Sequence, residues 1–378
     1  MPRTETIDVA VVGGGASGLS AAGALSRVGL RPVVLERDER LGARWARRYE
    51  RLHLHTIRRF SGLAHYPMPR SYPRYVHKDA FAAYLAEYAE RLGLDVRLGE
   101  TVAAISSEDG GWRIGRQDGG LLARAVVVAT GRYNEPIVPG WPGVDEFAGE
   151  LVHSHFYRSG REFAGRRALV VGIGNSGAEI ATDLVEHSAR IVAISVRTPP
   201  PIVPRDLFGV VPVQLLGLAF TPVPAPRLLD RAGAAVRRLG VGDLSRFGLG
   251  KAAWGPFTAR RPAVIDVGFL RELKAGRIHV RPSVARLTPT GVVFADGMEE
   301  PFDVVVAATG FSSALGELLK APGAVDPAGR PRFRSGRPTP YPGLYFIGFD
   351  ETTRGVLFEA NRDSRRLARE IAAYLRRT

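Results

Sequence analysis

There is no cysteine in the 378-residue sequence. That excludes disulfides, a thiolate nucleophile and a redox-active CxxC pair. Lysine is almost as scarce: Lys78, Lys251, Lys274 and Lys320 are the only four of 52 basic residues that are not arginine. A formal net charge of +14 invites a nucleic-acid reading. The arginines are scattered rather than gathered into a stripe, however, and no nucleic-acid motif accompanies them. Abundant arginine and alanine read instead as a GC-rich coding bias, and no nucleic-acid partner is expected. A basic surface would still attract anionic small molecules. No apolar run reaches the roughly 18 residues of a membrane helix. The first strand pattern begins by about Ile7, which leaves no room for a secretory signal before it. A cytoplasmic location without membrane contact is therefore expected.

What the sequence does have is two glycine fingerprints. The first lies in Val9-Ala10-Val11-Val12-Gly13-Gly14-Gly15-Ala16-Ser17-Gly18, and the second in Ala168-Leu169-Val170-Val171-Gly172-Ile173-Gly174-Asn175-Ser176-Gly177. One GxGxxG is weak evidence. Two, each after a β-branched run and before a helical pattern, imply two dinucleotide sites. The first glycine permits a tight strand-to-helix turn, and the second lets backbone approach a pyrophosphate. The third permits close helix–strand packing, with the phosphates facing the helix N-terminus.

The two units differ at the end of their second strand. Val33-Val34-Leu35 leads into Glu36, a carboxylate suited to ribose hydroxyls. Ile191–Val196 leads into Arg197, which either pairs with a 2′-phosphate or is one more solvated arginine. The first site accordingly reads as FAD-binding and the second as NADPH-binding.

The expected fold class is α/β, with two Rossmann-like dinucleotide-binding domains, the FAD domain being discontinuous. Its first part is placed at 1–149, the NADPH domain at 150–300 and the FAD return segment at 301–378. Leu19–Val28 reads as the first crossover helix. Asp79–Leu92 reads as a second helix, with Phe81, Tyr84, Leu85, Tyr88 and Leu92 on one face. Strands at Val96–Leu98, Val102–Ser106 and Trp112–Gly115 read as a small antiparallel excursion. The parallel strand Ala125–Ala129 then opens into Thr130-Gly131, a pattern repeated at Val304-Val305-Val306-Ala307-Ala308-Thr309-Gly310. A last short strand at 343–348 and a helix at Asn361–Arg376 close the chain. The apolar stretch Val213–Phe220 reads first as a buried connection, with a substrate-channel wall or a membrane-touching patch as alternatives.

Between the two nucleotide units, Phe147, Gly149, His153 and Tyr157 match the FxGxxxHxxxY pattern of the class B flavin-dependent monooxygenases, which this chain resembles along its whole length. Within that family it looks most like the YUCCA-type enzymes. The supporting strings are Arg51-Leu52-His53-Leu54-His55, Tyr66-Pro67-Met68-Pro69, Gly172–Glu179, Val203-Pro204-Arg205-Asp206 and Ile265-Asp266-Val267-Gly268. Tyr157 stands where related Baeyer–Villiger enzymes usually carry tryptophan. His55 stands where many flavin-containing monooxygenases have asparagine and YUCCA-like sequences have histidine. The segment Asp350-Glu351 is more acidic than the YUCCA pattern.

The resemblance implies a flavoprotein monooxygenase that uses NADPH and O2 to form a C4a-(hydro)peroxyflavin and oxygenate a small organic substrate. For a YUCCA-type enzyme this is oxidative decarboxylation of indole-3-pyruvate to indole-3-acetate. The alternatives are an N- or S-oxygenating class B enzyme of a biosynthetic pathway and a non-oxygenating NADPH-binding flavoprotein. His55 is the expected catalytic residue, placed beside the flavin; its alternative is a structural histidine. The expected cofactor-binding set for FAD is Gly13, Gly14, Gly15, Ala16, Ser17, Gly18, Glu36, Arg37, Arg44, Trp45, Val102, Thr130 and Gly131. For NADPH it is Gly172, Ile173, Gly174, Asn175, Ser176, Gly177 and Arg197. Trp45 covers the flavin or is a core aromatic. His153 reads as structural. The alternating pairs His53/His55 and His153/His155 lack clustered carboxylate or cysteine ligands, so no metal is expected. A homodimer is one reading of the assembly.

Overall fold

The wholly buried run Val9–Val12 forms the end of strand Glu5–Val12 in the computed structural model, which describes residues 5–108, 110–116 and 119–377. This strand lies between Pro32–Leu35 and Gly119–Val128, parallel to both. Such double coverage is why it is apolar at successive positions rather than alternating. Asp95–Arg97 adds parallel to Pro32–Leu35, and Leu344–Phe346 adds parallel to residues 126–128. Residues 119–123 of the long strand pair antiparallel with Gly111–Arg116, which in turn pairs with Val102–Glu108. The antiparallel excursion is therefore made by the last two of the three strands expected there. Asp95–Arg97 belongs to the parallel sheet, because helix Lys78–Arg91 returns the chain in the direction of Pro32–Leu35.

These elements belong to a unit made of residues up to Arg47, Thr56–Glu135 and the chain from Phe311 onward. Phe81, Tyr84, Leu85 and Tyr88 are buried on one face of helix Lys78–Arg91, and Leu92 caps it half-buried. At about 1.5–3 kcal/mol for a fully buried large apolar side chain, that face dominates the energetics of the helix. Gly23 makes room for it: a Cβ there would sit 2.0 Å from the Tyr88 hydroxyl, which donates to the Ala64 carbonyl at 2.7 Å. The first crossover helix runs Ala16–Arg27 and the terminal helix Val356–Leu375. Ser364 Oγ bonds Ser20 Oγ at 2.9 Å between these two helices.

The other unit consists of Arg48–His55 and Pro136–Gly310. Its described residues form a parallel sheet in the order His279–Arg281, Ile191–Ser195, Arg167–Val171, Val304–Ala307, Glu150–His153. The same order of parts occurs in the first unit: the fingerprint strand is central, the strand after its helix is on one side, and the strand ending in Ala-Thr-Gly is on the other. An antiparallel meander, Val284–Thr288, Gly291–Phe294 and Glu299–Pro301, precedes the last sheet strand. The apolar stretch expected as a buried connection is instead helix Gln214–Phe220. It buries Gln214 and Gly217 and leaves Leu215 and Phe220 exposed, so it is not core. A one-turn-per-side apolar run of this length is ambiguous in sequence, because periodicity says which residues share a face and not which way the face turns.

Candidate functional site

The first glycine turn is fixed by steric exclusion. Gly13 adopts φ +111°, and a Cβ there would approach the Ala129 carbonyl oxygen to 2.7 Å. A Cβ on Gly18 would lie 1.9 Å from the Gly13 carbonyl oxygen. Glu36 spans the turn from below: Oε2 accepts the Gly14 amide at 2.6 Å and Oε1 accepts the Asp38 amide at 3.0 Å. Each carboxylate oxygen keeps a second lone pair, which is the capacity a ribose hydroxyl needs. Gly15 is the N-cap of helix Ala16–Arg27, is exposed, and has open space where a Cβ would be. No side chain caps that helix, so Ala16, Ser17 and Gly18 present its first amides around the turn. Thr130 follows the neighbouring strand, with Oγ1 buried and without a hydrogen-bond partner among the described residues; Gly131 then turns at φ +78°. An open glycine cradle, an uncapped helix and an orphaned hydroxyl together fit an anionic dinucleotide.

The second turn repeats these contacts almost distance for distance. Gly172 has φ +103°, and its Cβ would meet the Ala308 carbonyl oxygen at 2.7 Å. A Cβ on Gly177 would lie 2.0 Å from the Gly172 carbonyl oxygen, and Gly174 faces open space. Ile173 is buried against the unit's core. Helix Asn175–Glu186 again lacks a side-chain cap. Asn175 Oδ1 accepts the Ile265 amide at 2.8 Å, which ties the Ile265–Gly268 string to the turn. Arg197 lies exposed two residues beyond strand Ile191–Ser195, one position further along than Glu36 stands beyond Pro32–Leu35. Val196 holds the register of Glu36, its amide donating to the Arg281 carbonyl as that of Glu36 does to the Arg97 carbonyl.

Other expected cofactor contacts have local partners. Arg44 donates to the Asn134 carbonyl at 2.6 Å and to the Tyr133 carbonyl, and both Arg44 and Arg37 reach Asn134 Oδ1, at 3.3 and 3.0 Å. Trp45 is half-buried and packs edge-on against Phe81 with ring centroids 4.7 Å apart. Val102 begins its strand half-buried against the cluster that includes Ile105 and Trp112. The acidic pair near the end is also engaged: Asp350 Oδ2 accepts the Ser335 amide at 3.0 Å, and Glu351 pairs with Arg132.

His55 sits in a polar cluster built on the second fingerprint helix. Its Nε2 is 2.5 Å from Glu179 Oε1, and Glu179 is only 2% exposed. With Nε2 engaged by Glu179, Nδ1 is left as the second ring position. Tyr49 is buried beside the pair and bonds Ser176 and Glu179; burial, then the Glu179 charge, pushes its phenol well above the ordinary tyrosine range. Arg51 holds the same segment in place by donating to the carbonyls of Glu179 (3.2 Å) and Val267 (3.1 Å) and pairing with Glu186 at 3.4 Å. Sequence reasoning missed Glu179 and Tyr49 as members of this cluster. The available signal was a run of polar residues, Glu179, Thr182 and Asp183, on the buried side of a helix.

The four signature residues have structural work here. Gly149 must be small because a Cβ would meet the Phe147 ring at 2.4 Å. His153 Nε2 donates to the Gly310 carbonyl at 3.0 Å while Nδ1 accepts the His155 amide at 3.0 Å, and burial lowers its pKa, so it stays neutral. Tyr157 donates to Asp183 Oδ2 at 2.7 Å, and the Gly160 amide donates to the same oxygen at 2.8 Å.

Residues 10–201 match the family model described as pyridine nucleotide-disulphide oxidoreductase. Indole-3-pyruvate monooxygenase YUCCA1 of Oryza sativa subsp. japonica is 40% identical to the chain, covering 96% of it and 90% of the relative. The chain belongs to the YUCCA-like flavin-containing monooxygenases. Among solved structures, a doubly substituted flavin monooxygenase from Stenotrophomonas maltophilia is 29% identical with a TM-score of 0.78, covering 98% of this chain and all of that one. OTEMO in complex with FAD and NADP shares the fold, with a TM-score of 0.74 at 18% identity over 99% of this chain and 87% of that one. As a YUCCA-like enzyme the protein is a flavin-dependent NADPH monooxygenase. The disulphide chemistry in the family model's description has no counterpart in this YUCCA-like chain, which lacks cysteine.

Proposed function

We propose that the protein converts indole-3-pyruvate, O2, NADPH and a proton into indole-3-acetate, CO2, water and NADP+. The observation that carries this reading is 40% identity to a rice indole-3-pyruvate monooxygenase across nearly the whole chain. Histidine at position 55 supports the same subgroup.

FAD and NADPH, when bound, supply the reducing equivalents and the activation of dioxygen. For FAD, Gly13, Gly14, Gly15, Ala16, Ser17 and Gly18 provide the backbone cradle, Glu36 accepts ribose hydroxyls, and the Thr130 hydroxyl donates to the cofactor. For NADPH, Gly172–Gly177 provide the cradle and Arg197 pairs with the 2′-phosphate, a charge-assisted contact worth about 1.5–3 kcal/mol. Arg37 and Arg44 act through Asn134, shaping the loop after Gly131. His55 is oriented by Glu179 and offers Nδ1 to the substrate side of the reaction. With the proton on Nε2, Nδ1 has a lone pair free to accept a hydrogen bond.

The test is NADPH consumption by the purified yellow protein with and without indole-3-pyruvate, with products identified by mass. Stimulated turnover giving indole-3-acetate in proportion to NADPH is the expected result. NADPH oxidation that ignores indole-3-pyruvate and yields only hydrogen peroxide would remove this substrate from consideration.

A further inference from the structure

Helix Pro226–Gly240 on the second unit turns its apolar face to solvent. Leu228, Ala232, Ala235, Val236 and Leu239 recur at spacings of three and four and form one stripe. Such a stripe ordinarily faces a core. Here all five are exposed, Leu228 at 66% and Leu239 at 89%, and the helix buries none of its residues. Its rotation is set by polar groups on the opposite side. Asp230 accepts the amides of Phe257 at 2.9 Å and Thr258 at 2.8 Å, capping helix Pro256–Ala259, and Arg237 is half-buried on the same side. Turning the leucines inward would break those bonds.

The border of the stripe is basic. Arg227, Arg231 and Arg238 are exposed and lie along one edge of it. The preceding stretch of chain adds further exposed apolar groups. Phe208, at the turn between strands Asp206–Leu207 and Val211–Pro212, is 93% exposed, and helix Gln214–Phe220 exposes Leu215 and Phe220.

We propose that residues 206–240 dock on an anionic lipid bilayer surface, with helix Pro226–Gly240 lying in the plane of the interface. The leucine stripe and Phe208 enter the acyl boundary, and the three arginines sit at the headgroup phosphates. Charge complementarity selects this occupant. A second copy of the chain packed antiparallel about a two-fold axis would bring like arginine edges together. A nucleic acid would match the arginines and leave the leucines and Phe208 in water. The contact is peripheral, since no described helix is long and apolar enough to cross a membrane. It revises the expectation of no membrane contact, which rested on the absence of a spanning run.

The experiment is co-sedimentation of the full-length holoprotein with phosphatidylcholine vesicles, with and without phosphatidylserine, at low and high salt. The wild type is expected to sediment with phosphatidylserine vesicles and to be released by salt. The double substitution Leu228→Ser with Leu239→Ser, and separately Phe208→Ser, should weaken binding by about tenfold or more. The triple substitution Arg227→Gln, Arg231→Gln, Arg238→Gln should abolish the preference for phosphatidylserine. These side chains are exposed, so circular dichroism and NADPH oxidation should match the wild type. Wild-type protein that stays in the supernatant with every vesicle, or leucine variants that bind as well as wild type, would overturn the proposal. A dimer that dissociates in the leucine variants, without vesicle binding, would assign the face to a second copy instead.

Discussion

Glu179 and His55 are 124 positions apart in sequence and 2.5 Å apart in space. Because Glu179 stands on the helix that begins at the second glycine turn, the histidine's orientation depends on the element that opens there. Replacing Glu179 with glutamine keeps the shape and removes the charge. We expect Glu179→Gln to lower kcat by about tenfold to a hundredfold, the value of a charge-assisted hydrogen bond, while NADPH affinity changes by less than about threefold. Steady-state kinetics with a pH profile, together with NADPH titration, separate the two. An unaltered kcat would leave His55 with a structural role only.

Gly18 and Gly177 are matched positions, each with its would-be Cβ about 2 Å from a backbone carbonyl that has no freedom to retreat. Gly18→Ala should give colourless protein that still binds NADPH. Gly177→Ala should give yellow protein whose NADPH affinity falls by about a hundredfold or more. Flavin absorbance and nucleotide titration read both. Normal binding of both nucleotides by both variants would end the two-site assignment.

Arg197 offers a sharper discrimination. Its replacement by alanine should weaken NADPH by about 10-fold to 150-fold and leave NADH nearly unchanged, since only the former carries the 2′-phosphate. Equal losses for the two coenzymes would take that role away from Arg197.

Asp303 couples stability to pH. Its carboxylate is held by the Arg167 guanidinium at 2.6 Å and the Arg167 amide at 2.7 Å, and these bonds lower its pKa from the ordinary 3.8 to about 2. The depressed value means that the stabilisation is fully present above the unfolded-state pKa and is lost as pH falls through about 2. Asp303→Asn should therefore lower the melting temperature at neutral pH and flatten its dependence on pH across the acid range. Thermal unfolding at a series of pH values checks this, and a variant with the wild-type acid slope would assign that slope to other carboxylates.

The nucleotide turns were legible in the sequence because they are local. Gly13, Gly18, Gly172 and Gly177 meet backbone within their own strand–turn–helix units or at the next strand, so spacing alone marks them. Glu36 was legible for the same reason. The Tyr49–Ser176–Glu179–His55 cluster was not, because it joins segments far apart in sequence, and no period in either segment names the other. Arg44 illustrates a second limit: its bonds to Asn134 and to the Tyr133 carbonyl span about 90 positions, and nothing in the local sequence names those partners. The outward-facing helix Pro226–Gly240 shows a third. Its apolar spacing is that of a core helix, and only the anchoring of Asp230 reveals which face is turned away.

A Cβ on Gly348 would lie 2.3 Å from Ser17 Oγ, so the segment after the last strand presses directly against the first glycine turn. Asn361 Nδ2 likewise reaches the Gly62 carbonyl at 2.8 Å, and Leu344–Phe346 completes the sheet beside residues 126–128. A ribosome making this chain releases the first glycine turn more than 300 residues before the segment beyond 340 that packs against it. The second unit, with its glycine turn at 172–177, is complete by Gly310. Assembly during translation therefore runs against chain order, and the turn released first is the one packed over last.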